Sequence, residues 1–474
     1  MVDEEKKHLL LLSPFRIYDV RGVIGVNLTY ELIEKIGVAL SQYWEEDETI
    51  GIGRDVRLHS PNVFSSLTRG IQTKEKNVIN FGVITTGIAN FIAWRRNIPV
   101  VMITASHNPP EWNGLKFFHK GGKEFSPEEL KKLEDKTKQI KEIPKGRKGA
   151  VMDENVLPEY KDYIRECFDI IGEYRVGFDP ANGCGGVLLD ILEETFKVYG
   201  INLELDGTFP AHIADPSYPE NLEQLRDLVK KENLDFGVAM DTDCDRFWVV
   251  WENGRIVPSI FVAYLFAKYL LKGGDNILVN FEMPFFVESL FEQLGVNYSL
   301  EKVGYPFMKE GARRKRSLLF AGYSGHFGFR ENNYSDDALY ALFRFISMIE
   351  EMEIDVNTEI NNFPQYFEKR IEFEIIDHYE AYERVRAYVD NYKIGDLRRE
   401  LDGLGIYFGR KGRILIRPSN TEALLRIKVE ADSIERVNSL RDTAVDIIYK
   451  SIPKERILKK RVESRIFGFP RDVK

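Results

Sequence analysis

Cysteine is scarce in this chain. Cys167, Cys184 and Cys244 are the only three in 474 residues, they stand far apart, and no C-x-x-C pair occurs. That excludes a disulfide framework and a cysteine zinc site, and it fits a reducing compartment. Long apolar runs are missing too. The run from Leu9 to Leu12 is too short for a secretory core, and the stretch from Ile260 to Leu271 is interrupted by Lys268 and falls short of a bilayer span. A cytoplasmic protein with no membrane partner is the expectation. Charge of one sign is not in excess either: 66 basic against 75 acidic residues leave a net −9 spread along the chain. No general nucleic-acid surface follows from that balance, so any anion site has to be built locally.

What is present is the composition of a globular protein, 43% hydrophobic and 30% charged. The length calls for three or four domains. Short apolar runs (IGIG at 50–53, VVMIT at 100–104, YRVGFDP at 174–180, FGVAMD at 236–241, NILVNFE at 276–282) alternate with longer helix-spaced segments. This rhythm belongs to strand–helix–strand units around mixed or parallel sheets, an α/β class. Polar interruptions at 136–148, around Pro258 and from Asn361 to Pro364 mark boundaries. Beyond 365 the pattern changes to strand-like EKRIEFEII, a helix from Glu380, GLGIYFGRKGRILIRPS and a final helix after Ser433, a smaller α+β domain. The closing KERILKKRVESRIF reads as a solvated helix end rather than a binding tail.

Three clusters carry chemistry. Asp241-Thr-Asp243-Cys-Asp245-Arg246 follows the apolar run FGVAM. In an extended backbone alternate side chains point the same way, so its three carboxylates converge, and a hard divalent cation resolves their repulsion. A calcium loop would need glycine at the sixth place, where Arg246 stands, and a solvated acidic turn is the plain alternative. Thr104-Ala-Ser106-His107-Asn108-Pro109 places a hydroxyl just past a strand, where α/β proteins hold reacting groups, although an Asn-Pro turn capped by a serine has the same letters. Arg417-Pro-Ser419-Asn420-Thr421, with Arg426 beyond, offers hydroxyls, an amide and guanidinium groups to an anion, or is a turn with one exposed arginine. FRIYDVRG, with Tyr18 and Arg21, and GRDVR, with Arg54, Asp55 and Arg57, read alone as structural Arg–Asp pairs.

In this order the segments resemble the α-D-phosphohexomutase family of phosphomannomutase/phosphoglucomutase enzymes, over nearly the whole chain. FRIYDVRG looks like its opening loop, TASHNPPEWNGLK its phosphoserine loop, DTDCDR its metal loop, YSGH its sugar loop and RPSNTEALLR its phosphate loop. The resemblance implies three related α/β domains plus a smaller C-terminal α+β domain around a central cleft. These would be residues 1–158 bearing the phosphoserine, 159–258 the metal, 259–364 the sugar loop and 365–474 the phosphate loop.

It further implies an isomerase that interconverts hexose 1-phosphate and hexose 6-phosphate, of mannose and/or glucose, through a bisphosphorylated sugar. Ser106 would carry the phosphate and complete the shell of a Mg2+ ion held by Asp241, Asp243 and Asp245. His107, Lys116 and Arg21 would act beside it, with Lys116 handling a proton once its pKa is lowered. Tyr18, Arg246, Tyr323, Ser324, His326, Arg417, Ser419, Asn420, Thr421 and Arg426 would bind substrate. Glucose 1,6-bisphosphate or a related hexose bisphosphate is the implied activator, a hexose phosphate the partner, and the chain a monomer or homo-oligomer.

The sequence departs from the family pattern in places. Gly322 replaces a glutamate of the sugar loop, Tyr305 a frequent histidine, and ITTG at 84–87 the usual Pro-Thr-Pro, while DTDCDR lacks two common glycines. A non-catalytic or regulatory sugar-phosphate-binding paralogue and a phosphoglucosamine mutase therefore stay open as alternatives. A serine hydrolase does not fit, because no G-x-S-x-G is present and Gly322-Tyr-Ser324-Gly-His326 breaks at its last place.

Overall fold

The computed structural model describes residues 13–145, 149–419, 423–463 and 467–469. The chain divides into two compact units: residues up to 217 with 221–254 and 326–347, and residues 218–220 and 255–325 with 348 onward. Among the described residues no helix is long and apolar enough to cross a membrane.

The first unit contains a mixed sheet in the order Val20–Val23, Trp112–Phe118, Val100–Ile103, Thr49–Arg54, Asn77–Val83, Val151–Asp153. Its Val100–Ile103 strand reads VVMI and is buried at every position, as a strand covered on both faces requires. It runs parallel to Thr49–Arg54 and antiparallel to Trp112–Phe118, whose register sets Lys116 opposite Met102. The chain leaves the carboxyl end of Val100–Ile103 directly into the Ser106 turn and returns along the strand that carries Lys116.

A second sheet in the same unit sets Arg175–Asp179 parallel to both Lys197–Gly200 and Phe236–Met240. Phe247–Trp251 folds back antiparallel on Phe236–Met240, with Phe247 opposite Met240. Residues 241–246 are therefore the turn of a hairpin. The extended backbone assumed from the aspartate spacing is not what forms: Cys244 has φ 54°, and the turn, not strand alternation, gathers the carboxylates.

In the second unit Asn276–Asn280 lies parallel to Asn297–Glu301 and to Leu319–Ala321. An antiparallel sheet follows in the order Leu397–Glu400, Leu404–Tyr407, Gly412–Pro418, Leu424–Ala431, Tyr366–Ile375, Ile457–Glu463. Ile414, Ile416, Leu425, Ile427 and Val429 pack in one core with Val385 and Val389 of helix His378–Tyr392 and Val437 and Ile448 of helix Ile434–Ser451. Where a helix end was expected, the chain is instead strand from Ile457. Ile457–Glu463 and Phe467–Phe469 both pair antiparallel with Tyr366–Ile375, covering an edge that would otherwise present unpaired backbone, while Lys459 and Lys460 stay exposed.

The N-G-x-K stretch shows why glycine precedes Lys116. A Cβ on Gly114 would stand 2.3 Å from the Val20 carbonyl oxygen and 2.7 Å from that of Thr104, two residues before Ser106. Gly114→Ala must push backbone aside, and should cost about 1–3 kcal/mol of stability, read as a lowered midpoint in urea unfolding. An unchanged midpoint would show that the strands give way freely.

Candidate active site

Ser106 is 2% exposed and sits at φ 48°, a left-handed conformation that costs a non-glycine residue about 1–3 kcal/mol. Its N–H donates to Thr104 Oγ1 at 2.9 Å. The fully buried Arg57 holds the rest of the turn. It donates to the carbonyls of Ser106 (2.6 Å), Asn108 (2.5 Å), Pro109 (2.5 Å) and Trp112 (3.1 Å), while its Nε donates to Asp55 Oδ2 at 3.0 Å. Arg54 sits beside this network and donates to the Asp55 carbonyl.

The serine hydroxyl reaches the hairpin turn of the second sheet. Ser106 Oγ donates to Asp241 Oδ2 at 2.8 Å, and His107 Nδ1 lies 3.3 Å from Ser106 Oγ. Asp241 Oδ1 accepts the N–H groups of Asp245 (3.1 Å) and Arg246 (3.2 Å), which curls the turn around it. Lys116 Nζ donates to Asp243 Oδ2 at 2.8 Å and Asp245 Oδ2 at 2.6 Å, and Thr86 Oγ1 adds a bond of 2.7 Å to Asp243. Thr86 lies in the ITTG stretch.

Charge in this pocket is strongly perturbed. Burial, with Asp245 and Asp243 adding to it, raises the Asp241 carboxyl well above its ordinary pKa. Burial opposes ionisation of Asp245 as well, but Lys116, His326 and Arg246 outweigh it and lower its pKa. For Lys116 burial is outweighed by Asp243 and Asp245, so its ammonium is held more tightly than usual. The lowered lysine pKa expected for proton handling is thus reversed, because the ammonium bridges two carboxylates.

One oxygen each from Asp241, Asp243 and Asp245 lie within 4.8 Å of one another. Asp243 Oδ1 and Asp245 Oδ1 are buried with no hydrogen-bond partner among the described residues. Three converging buried carboxylates, two of them with an unsatisfied oxygen, are the donor set of a hard divalent cation, and the residues fit such an ion. Asp245, His326 and Asp336 form a second close group. There His326 Nε2 accepts from Arg246 Nε at 2.9 Å, and burial, reinforced by Arg246 and Lys116 against the pull of Asp245, lowers the imidazole pKa to about 3. The neutral ring then carries its proton on Nδ1, facing Asp245 and Asp336, and offers no lone pair to a metal there.

Arg21 closes this group by donating to Asn108 Oδ1 and Asp19 Oδ2, each at 2.7 Å; Tyr18 lies half-buried just before the same strand. The structure thus gathers Ser106, His107, Lys116, Arg21, Arg246, His326 and the three aspartates in the first unit.

The remaining candidates belong to the second unit. Tyr323 is buried, its N–H donating to Asn280 Oδ1 at 3.2 Å and its hydroxyl to Glu368, with Ser324 beside it. Arg417 and Arg426 are cross-strand partners. Arg417 donates to Glu282 Oε1 at 2.5 Å and Asp402 Oδ2 at 2.7 Å, and Arg426 Nε lies 3.2 Å from Glu372 Oε1. The Ser419 carbonyl faces His378 Nε2 at 3.1 Å. Asn420 and Thr421 lie outside the described residues.

Sequence reading missed the rest of this charged sheet face. Arg370 stands opposite Lys428, and Glu430 opposite Arg413 and Glu368. The signal was present as charge at every second position in RIKVE and EKRIEFE and at both ends of RILIR, spacings that put these charges on one strand face.

Arg57 gives the site a direct test. Arg57→Met leaves four carbonyls without their donor and Asp55 without its counter-charge, and should cost about 3–5 kcal/mol. Arg57→Lys keeps the charge but not the fork, so it should recover only part of that loss. Urea unfolding of the two variants reads both values, and a cost under about 1 kcal/mol for Arg57→Met would show that the clamp is dispensable.

The chain matches the family described as phosphoglucomutase/phosphomannomutase in all four of its parts: alpha/beta/alpha domain I over residues 13–144, domain II over 158–254, domain III over 258–367 and the C-terminal domain over 380–447. A phosphomannomutase/phosphoglucomutase of Pseudomonas aeruginosa is 30% identical over 471 residues, covering 94% of this chain and 98% of its own. A phosphoglucosamine mutase of Methanococcus maripaludis is 28% identical, covering 92% and 99%. In fold, a crystal structure of a phosphoglucomutase/phosphomannomutase family protein from Burkholderia thailandensis superposes with a TM-score of 0.82 at 24% identity, covering 94% of this chain and 99% of that one. With its serine turn, its acidic hairpin and matches along nearly its whole length, the chain belongs to the phosphoglucomutase/phosphomannomutase family.

Proposed function

We propose that this chain interconverts hexose 1-phosphates and hexose 6-phosphates, of mannose and/or glucose, with Ser106 as the phosphate carrier. The observation that carries this reading is the 2.8 Å bond from Ser106 Oγ to Asp241 within a turn that also presents Asp243 and Asp245. Asp241, Asp243 and Asp245, together with an oxygen of phosphorylated Ser106, would hold Mg2+. When bound, the ion withdraws electron density from the phosphoryl group and offsets charge during transfer.

The chain's own groups do the positioning. Arg57 keeps Ser106 in its strained turn, so the phosphoryl group is presented at one fixed place. The phosphoryl group passes from Ser106 Oγ to a free sugar hydroxyl, and the resulting bisphosphate returns its other phosphoryl group to the same oxygen. Between the two transfers the Ser106 hydroxyl has Asp241 Oδ2 and His107 Nδ1 within reach of its proton. Lys116, an ammonium between two carboxylates, is suited to give a proton rather than to take one. Arg417, Ser419, Asn420, Thr421 and Arg426 would grip the non-reacting phosphate. Arg246, His326, Tyr18, Tyr323 and Ser324 would contact the sugar, and glucose 1,6-bisphosphate would prime Ser106.

A second reading, a sugar-phosphate-binding paralogue without turnover, rests on one observation. Gly322 brings no side chain to the turn where relatives of this pattern place a glutamate, so a hydrogen-bond acceptor for the sugar is missing there.

One assay separates the two. Protein, Mg2+, glucose 1-phosphate and a trace of glucose 1,6-bisphosphate are coupled to glucose 6-phosphate dehydrogenase. Turnover is expected, abolished by EDTA and restored by Mg2+, with Ser106→Ala lowering kcat by roughly three orders of magnitude or more. Binding of hexose phosphates without turnover of glucose or mannose 1-phosphate supports the second reading. Full activity of Ser106→Ala ends the phosphoserine mechanism.

A further inference from the structure

Arg417 is 4% exposed, and both arms of its guanidinium fork are already engaged by carboxylates. The two partners are not equivalent. Asp402 Oδ2, on the Nη2 arm, also accepts the Val303 N–H at 2.9 Å and is built into the fold. Glu282, on the Nη1 arm, follows the carboxyl end of strand Asn276–Asn280, and its side chain keeps 21% of its exposure against 14% for Asp402.

The backbone around Glu282 is pinned on both sides. Lys428 Nζ donates to the Glu282 carbonyl at 2.5 Å, and Arg413 donates to the carbonyls of Phe281 (3.2 Å) and Met283 (2.6 Å). Only the Glu282 side chain is left to move. Burial disfavours its charge, but Arg417, Lys428, Arg370 and Arg426 together outweigh that and hold it ionised. A carboxylate held ionised by these cations presents to Nη1 the same kind of oxygen that a phosphate would present.

We infer that Glu282 is a displaceable internal stand-in for the substrate's phosphate: it holds Arg417 aimed while no substrate is bound and yields Nη1 to a phosphate oxygen on binding. The inference rests on the proposed mutase reading, in which Arg417 grips the non-reacting phosphate. It assigns Glu282 a specific task in that cycle. A bisphosphate that must present first one phosphate and then the other has to let go of this loop midway, and a carboxylate ready to retake Arg417 eases that release. The cost is weaker ground-state binding, since the incoming dianion must also displace a fixed negative charge.

The test uses the full chain carrying Ser106→Ala, so that no turnover intervenes, with glucose 6-phosphate and inorganic phosphate as separate titrants in calorimetry. Adding Glu282→Gln should tighten glucose 6-phosphate binding about tenfold, and Glu282→Ala should shift it in the same direction. With Ser106 intact, Glu282→Gln should lower KM and also lower kcat, the split expected when release is slowed. Thermal melting checks that the variants fold, and Asp402→Asn serves as contrast because a purely structural partner should lose stability without gaining affinity. Unchanged or weaker binding by both Glu282 variants, with wild-type binding intact, overturns the inference alone. Absence of binding by every protein overturns the mutase reading and this inference with it.

Discussion

Three buried aspartates around one serine hydroxyl set the terms for the first unit. Carboxylates this close cannot all be ionised in a dry turn unless positive charge is brought to them, and Lys116, whose ammonium is bonded to Asp243 and Asp245, offsets only part of it. Burial together with the remaining imbalance raises the Asp241 pKa, and two carboxylate oxygens have no hydrogen-bond partner among the described residues. A divalent cation would meet both needs, since it supplies positive charge and takes up the two unpartnered carboxylate oxygens. The fold's task is to hold that imbalance in place. It does so with a hairpin whose backbone N–H groups fix Asp241 and with a strand register that delivers Lys116 to the same point.

Much of this was legible in the sequence. Apolar runs of four or five residues between helix-spaced segments marked the strands of the first three sheets, because buried strands leave no room for polar residues. The aspartate spacing pointed to convergence correctly but for a wrong reason. Spacing alone does not separate an extended segment from a tight hairpin turn, and the left-handed Cys244 that makes the difference has no side-chain signature. The C-terminal segment was misread for a related cause. Its lysines and arginines carry no periodicity, and its strand state is imposed by an available edge in Tyr366–Ile375 rather than by local preference.

Arg57 and Glu282 illustrate what sequence cannot carry. Arg57 in GRDVR was visible as an ion-pair partner of Asp55, yet most of its bonds go to backbone oxygens of a distant turn, which have no letter of their own. Glu282 ends an ordinary strand-like run, and nothing near it in sequence announces the cations that surround it. Those cations were readable as charges at even spacings on three strands, but only the register shows that Arg417 meets Arg426 and Arg370 meets Lys428. Like charges directly opposite one another are unfavourable in a sheet. Such a face is stable only when interleaved with carboxylates, as Glu368, Glu372, Glu430 and Glu282 are here.

The two units therefore handle concentrated charge differently. The serine site concentrates negative charge that its own lysine does not fully offset, and the second unit's sheet face concentrates positive charge that its own glutamates satisfy at close range. Guanidinium groups held permanently by the protein's own carboxylates would bind a phosphate poorly, whereas groups left without them would grip it tightly, release it slowly and stand buried without partners when it leaves. Two carboxylates tied into the fold to different degrees on one fork reconcile the two demands. Asp402 keeps Arg417 in the fold, and Glu282 keeps it occupied without making that occupancy permanent.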